Sequence, residues 1–188
     1  NWVHHTTSPI LNSTIPSIMR SGNIQNFTIS YVYPTDVEIL WNGIEIQNQG
    51  GWFYSPSGAG NGTLELKITD VLGLGSSSIS NVLLDNYAPV SSFEADFYSN
   101  TNFGKNTILY LNSSENYSVI SYVNLRLSSG GMSCNKNWIP SSSEFSINGT
   151  LNNILQNSSC AILQGKNLPV MVNLSVSDEL GNNHTNTW

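Results

Sequence analysis

Residues 63–73 read TLELKITDVLG, and residues 171–181 read MVNLSVSDELG. Leu64, Leu66 and Ile68 alternate with other residues in the first stretch, as Val172, Leu174 and Val176 do in the second. Period two is the mark of a strand with one face turned to a core. Asp70 or Asp178 follows two residues after the last of these, and Gly73 or Gly181 three residues later. Asp ends a strand by bonding its own backbone, and Gly supplies the positive φ of the turn. The offset is 108 residues throughout. A core strand and its turn, met twice, predict two copies of one domain.

The same grammar extends outward. Asn26–Tyr33 puts Phe27, Ile29, Tyr31 and Tyr33 on one face, and Val37–Trp41 puts Val37, Ile39 and Trp41 on one face. Asn42-Gly43 predicts a type I′ hairpin turn, with Ile44–Gln47 as the return strand. Trp52–Ser55 reads as a short aromatic strand, Pro56–Gly62 as a loop, and Ser76–Leu84 as the closing strand. In the second half, strands are predicted at Phe93–Tyr98, Thr107–Asn112, Ser118–Ser128, Glu144–Ile147, Cys160–Gln164 and Val170–Asp178. Ser129–Ser143 reads as an elaborated loop. No apolar period of 3.6 residues persists, so almost no helix is expected. The fold class is all-β: two tandem immunoglobulin-like β-sandwich domains, residues 1–88 and 89–188.

Asn81–Pro89 (NVLLDNYAP) resembles Asn1–Pro9 (NWVHHTTSP) in spacing. Under the 108-residue offset Trp188 matches Ser80, so the next position would match Asn81, and Asn1 is its counterpart. Two accounts fit. The chain is a fragment of a longer array, with residues 1–9 a linker or strand of a preceding domain. Otherwise the second domain lacks most of its last strand and Asn1–Thr7 of a neighbouring subunit supplies it, by donor-strand complementation.

Composition narrows the role. Charged residues are 10% of the 188, against about a quarter in ordinary domains. Six Lys and Arg face twelve Asp and Glu, which excludes a basic phosphate-binding patch and hence nucleic acid as a partner. No apolar run is long enough to span a membrane. Asn, Ser and Thr number 26, 29 and 12 and carry the surface polarity instead. Nine N-glycosylation sequons occur, at Asn12, Asn26, Asn61, Asn112, Asn116, Asn148, Asn157, Asn173 and Asn183. Chance alone gives about six. Covalent N-glycans at some of them are expected.

The element of alternating strand, D-x-L-G, polar strand and D-x-x-x-P junction appears at Ile68–Gly73 and Asp85–Pro89. It resembles the Ig-like and fibronectin-III-like repeats of large prokaryotic surface proteins, in which archaeal surface-layer and adhesion proteins are rich. The resemblance implies an extracellular, cell-surface location and no catalytic residues. The expected function is structural: a glycosylated repeat unit of a surface layer, stalk or filament, associating with itself or with neighbouring domains. An adhesin or carbohydrate-binding module, using Trp41, Trp52 and Tyr54 as a stacking platform, is the alternative, and a viral surface protein a third option.

Other motifs carry less. Cys134 and Cys160, an even pair in an extracellular chain, read as one disulfide joining the long loop to a strand, with two buried thiols as the alternative. Asp85, Glu94 and Asp96 give a weak calcium option at the junction, against a plain turn. Adjacent His4 and His5 point to opposite faces of an extended segment, and His184 stands alone. Gly58–Gly62 lacks the Lys-Ser/Thr of a phosphate loop. No catalytic triad, acid pair or cofactor motif emerges, so no enzyme and no cofactor is expected.

Overall fold

The computed structural model describes residues 6–12, 15–30, 35–96, 106–155 and 169–188. The chain divides into two compact units, Asn1–Asn86 and Tyr87–Trp188. Each is a β-sandwich, and the strands follow the same order in both.

In unit 1, the first layer is built from β1 (Ile10–Asn12), β3 (Ile24–Asn26), β4 (Thr28–Ser30) and β7 (Trp52–Tyr54). β1 pairs with β4 and β3 with β7. β3 and β4 are one strand interrupted at Phe27, whose N–H instead donates to the Gly51 carbonyl at 3.0 Å. The facing layer is five-stranded, in the order β2 (Ile18–Met19), β9 (Gly75–Leu84), β8 (Gly60–Asp70), β5 (Thr35–Trp41) and β6 (Ile44–Ile46). Phe27, Phe53, Ile39, Leu64, Leu66, Val82, Leu84 and Met19 fill the space between them. The predicted hairpin at Asn42-Gly43 is present, with φ of 50° and 80°, and pairs Trp41 with Ile44.

Unit 2 has three strands against four. β10 (Val90–Asp96), β11 (Ile108–Ser114) and β14 (Glu144–Thr150) form one sheet; β13 (Met132–Trp138), β12 (Ile120–Ser129), β15 (Met171–Asp178) and β16 (Asn183–Thr187) form the other. A single-turn helix, α1 (Leu151–Ile154), closes one end and buries Leu151 and Ile154. The core is aliphatic: Leu109, Leu111, Val123, Leu125, Leu127, Val172, Leu174 and Val176 are all buried.

Two expectations are corrected. Ser129–Ser143 is not an elaborated loop, because Met132–Trp138 within it is strand β13, joined to β12 by a tight turn at Gly130-Gly131 with φ of 55° and 81°. The period-two pattern there is broken by Lys136, which takes an inward-phase position on an edge strand and hides the alternation. Likewise Gly60–Gly62 belongs to β8 rather than to the preceding loop. The expected strand at Cys160–Gln164 lies outside the described residues.

The repeated stretches become the same hairpin in both units. Asp70 Oδ1 accepts from the backbone N–H of Leu72 and Leu74, both at 2.9 Å, and the Gly73 N–H donates to the Asp70 carbonyl at 3.0 Å. In unit 2, Asp178 Oδ1 accepts from the Asn182 N–H at 2.8 Å, Oδ2 accepts from its side-chain amide at 2.8 Å, and Gly181 N–H donates to the Asp178 carbonyl at 3.3 Å. Both glycines sit in the left-handed region, at φ of 83° and 85°.

Candidate interaction surfaces and modification sites

Strand alternation sorts the sequons. Asn12, Asn26, Asn61, Asn112, Asn116, Asn148 and Asn183 are exposed. Asn173 is half-buried, and its Oδ1 accepts from the Thr187 hydroxyl at 2.8 Å. Asn157 lies outside the described residues. Asn112 and Asn148 share the outer face of the β10–β11–β14 sheet. Tyr110, two residues from Asn112, lies directly opposite Asn148.

The three aromatics of the expected platform are separated. Trp41 faces inward from β5, packs against the core and covers Gly62. Trp52 and Tyr54 flank the buried Phe53 on β7 and so both face outward. Their rings meet edge to face at 5.2 Å and 89°. Register places Ile24 opposite Tyr54 and Asn26 opposite Trp52. A second outward pair, Tyr87 and Tyr117, has ring centroids 5.9 Å apart, next to Asn116.

Cys134 is buried on β13, opposite Leu127. It therefore belongs to a sheet edge strand rather than to a loop. Its expected partner Cys160 lies outside the described residues. Asp85 is fully buried beyond the end of β9, whereas Glu94 and Asp96 are exposed on the outer face of β10. Among the described residues no three His, Cys, Asp or Glu side chains gather as a metal site would require. His184 is exposed and its Nε2 bonds Asn186 Oδ1 at 2.8 Å, while His4 and His5 lie outside the described residues.

The outer face of the four-stranded sheet was not singled out by the sequence. Asn137, Asn124, Ser175 and Thr185 form a row across all four strands. Asn124 donates to Asn137 at 2.5 Å, and Ser175 and Thr185 hydroxyls meet at 2.8 Å. Neutral amides and hydroxyls thus satisfy one another where ordinary domains place ions. Unit 1 does hold an ion pair, Lys67–Glu65, at 3.6 Å on partly exposed side chains. At one end of the four-stranded sheet lies a cleft of about 570 Å³, bordered by Ser129, Gly131, Met132, Val170, Met171 and Trp188.

No family model matches the chain, and no curated protein matches it. Among solved structures it is similar to the fibronectin(III)-like modules of Clostridium thermocellum CbhA, at 14% identity and TM-score 0.41, over 95% of this chain and 90% of that one. It is also similar to SGBP-B of the Bacteroides ovatus mixed-linkage glucan utilization locus, solved with a mixed-linkage heptasaccharide. There the identity is 13% and the TM-score 0.38, over 97% of this chain. The chain spans 46% of that protein's length. The strand order of both units, rather than these distant likenesses, carries the assignment to the immunoglobulin and fibronectin-III-like sandwiches.

Proposed function

We propose that the chain is a structural, glycosylated and non-enzymatic unit of an extracellular cell-surface assembly, a layer, stalk or filament, whose copies join by strand addition. The cleft at one end of the four-stranded sheet of unit 2 supports this most directly. In unit 1, β9 runs on through Asn81–Leu84 and lays Val82 and Leu84 into the core. In unit 2 the matching ladder reaches Trp188, whose N–H and carbonyl both bond Val172, at 2.9 and 2.8 Å. Beyond it the counterparts of Gly62 and Thr63, Val170 and Met171, line the open cleft. An extended segment of a second copy, with alternating apolar side chains, would fit that cleft by β-augmentation. Asn1-Trp2-Val3 of a second copy matches Asn81-Val82-Leu83 in its Asn and apolar pair. On this reading Cys134 and Cys160 form one disulfide, and the exposed sequons carry N-glycans.

The test compares the full chain with a variant lacking residues 1–7, by mass photometry and electron microscopy. Linear assemblies from the full chain and monomers from the shortened one are expected. A full chain that stays monomeric at assembly concentrations, or a shortened one that assembles equally well, overturns the reading.

A second reading, an adhesin or carbohydrate-binding module, has one observation in its favour: Trp52 and Tyr54 stand side by side on an outer face. Trp41 has no part in it. Glycan-array binding lost on Trp52→Ala would support that reading.

A further inference from the structure

Asn26 and Trp52 are direct cross-strand partners, and the pair sits in a block of four outward side chains with Ile24 and Tyr54. Ile24 is 55% exposed and Tyr54 51% exposed, large values for apolar side chains on a sheet face. Asn26 begins the sequon Asn26-Phe27-Thr28, in which Phe27 points into the core, leaving Asn26 and Thr28 outward. An exposed phenol, an exposed isoleucine and a half-buried indole therefore surround one exposed glycan acceptor.

We infer that this surface is the bed of the chain's own N-glycan: the first sugar on Asn26 lies with its C–H face against the indole of Trp52. The inference rests on the glycosylation proposed above and adds to it what the sugar touches. Directly opposed residues in an antiparallel pair hold their Cβ atoms about 5 Å apart. An indole reaches outward from its Cβ about as far as the first pyranose reaches from Asn26, so the flat indole and the chair of the sugar rise side by side from the sheet. The edge-on contact from Tyr54 restricts the orientation of the indole before the sugar arrives, so less freedom is lost on stacking. A sugar there also covers the apolar area that Ile24, Trp52 and Tyr54 leave to solvent, which otherwise invites association. The occupant is set by geometry, because the acceptor nitrogen is itself one corner of the patch. Unit 2 repeats the relation in weaker form, where the half-buried Tyr110 lies directly opposite Asn148.

The experiment is a stability cycle on the full chain produced in a glycosylating host: wild type, Asn26→Gln, Trp52→Leu and the double variant. Glycopeptide mapping of wild type and Trp52→Leu establishes occupancy of Asn26. The same four proteins from a host without N-glycosylation serve as the control. In the glycosylated set, Asn26→Gln is expected to lower the melting midpoint by about 4 °C when Trp52 is present. In the Trp52→Leu background the same substitution is expected to leave the midpoint unchanged. In the unglycosylated set no such coupling is expected. The wild-type glycoprotein gives a second readout that needs no substitution: proton resonances of the linking sugar shifted upfield by the indole ring current. Occupied Asn26 with unshifted sugar protons and no coupling overturns the stacking alone. Unoccupied Asn26 overturns both the stacking and the glycosylation reading at this site.

Discussion

Gly62 lies directly beneath the indole of Trp41: a Cβ built on Gly62 would come within 2.1 Å of Cζ2 and 2.3 Å of Cη2. The glycine is needed for this close approach rather than for its backbone conformation, since its φ is not positive. Gly62→Ala must push the indole out of its place against the core, and a cost of about 1–3 kcal/mol is expected. Urea unfolding measures it, with Gly58→Ala as a comparison in which the backbone, at φ of 113°, is the source of strain. Equal midpoints for Gly62→Ala and wild type would show that Trp41 is not held as described. The sequon at Asn61 survives the substitution, so glycosylation is not disturbed.

The two hairpins that repeat at 108 residues make a matched pair for mutation. Asp70→Ala strips the acceptor from the N–H groups of Leu72 and Leu74, and a loss of about 1–3 kcal/mol is expected. Asp70→Asn keeps one acceptor oxygen and is expected to lose less. Asp178→Ala leaves both the N–H and the side-chain amide of Asn182 without this acceptor and is expected to cost at least as much. Calorimetry that resolves the two units would assign each loss to its own transition.

Glycosylation is expected to follow exposure. Asn12, Asn26, Asn61, Asn112, Asn116, Asn148 and Asn183 are exposed, whereas Asn173 is half-buried and its Oδ1 accepts from the Thr187 hydroxyl. Site-resolved glycopeptide mapping should find Asn173 the least occupied of these eight. Full occupancy at Asn173 with empty exposed sites would mean that folded-state exposure does not govern the modification.

The proposed bond between Cys134 and Cys160 is read by non-reducing peptide mapping, which should recover the two cysteines in one linked peptide. Reduction is then expected to cost about 3 kcal/mol, because the bond closes a long loop in the unfolded chain. Two alkylatable thiols under denaturing, non-reducing conditions would remove the bond from the account.

Much of this was legible in local pattern. Leu64, Leu66 and Ile68 declare a buried strand by alternation alone, and Asn42-Gly43 declares its turn by the backbone that only such residues adopt easily. Both signals are complete within a few residues. The strand from Met132 to Trp138 was hidden because an edge strand tolerates Lys136 in its inward phase, where a central strand would not. The candidate surfaces depended on pairing between distant segments. Trp41 and Trp52 look alike as aromatics in short strands, yet β5 turns the first inward and β7 turns the second outward. The register that sets Asn26 opposite Trp52 joins segments 26 residues apart in sequence, and no local rule specifies it.

The short strand β2 runs parallel to the end of β9, through bonds from the Leu83 N–H to the Ser17 carbonyl and from the Asp85 N–H to the Met19 carbonyl, both at 2.9 Å. Tension along the chain would pull β2 towards its amino end and β9 towards its carboxyl end. Parallel neighbours drawn in those directions slide past one another, so both bonds bear the load together. An antiparallel hairpin pulled at its open end instead yields one bond at a time. Unit 1 thus carries a shear clamp at the point where its last strand leaves the sandwich, and a chain built of such units would resist stretching at this clamp before its hairpins began to peel.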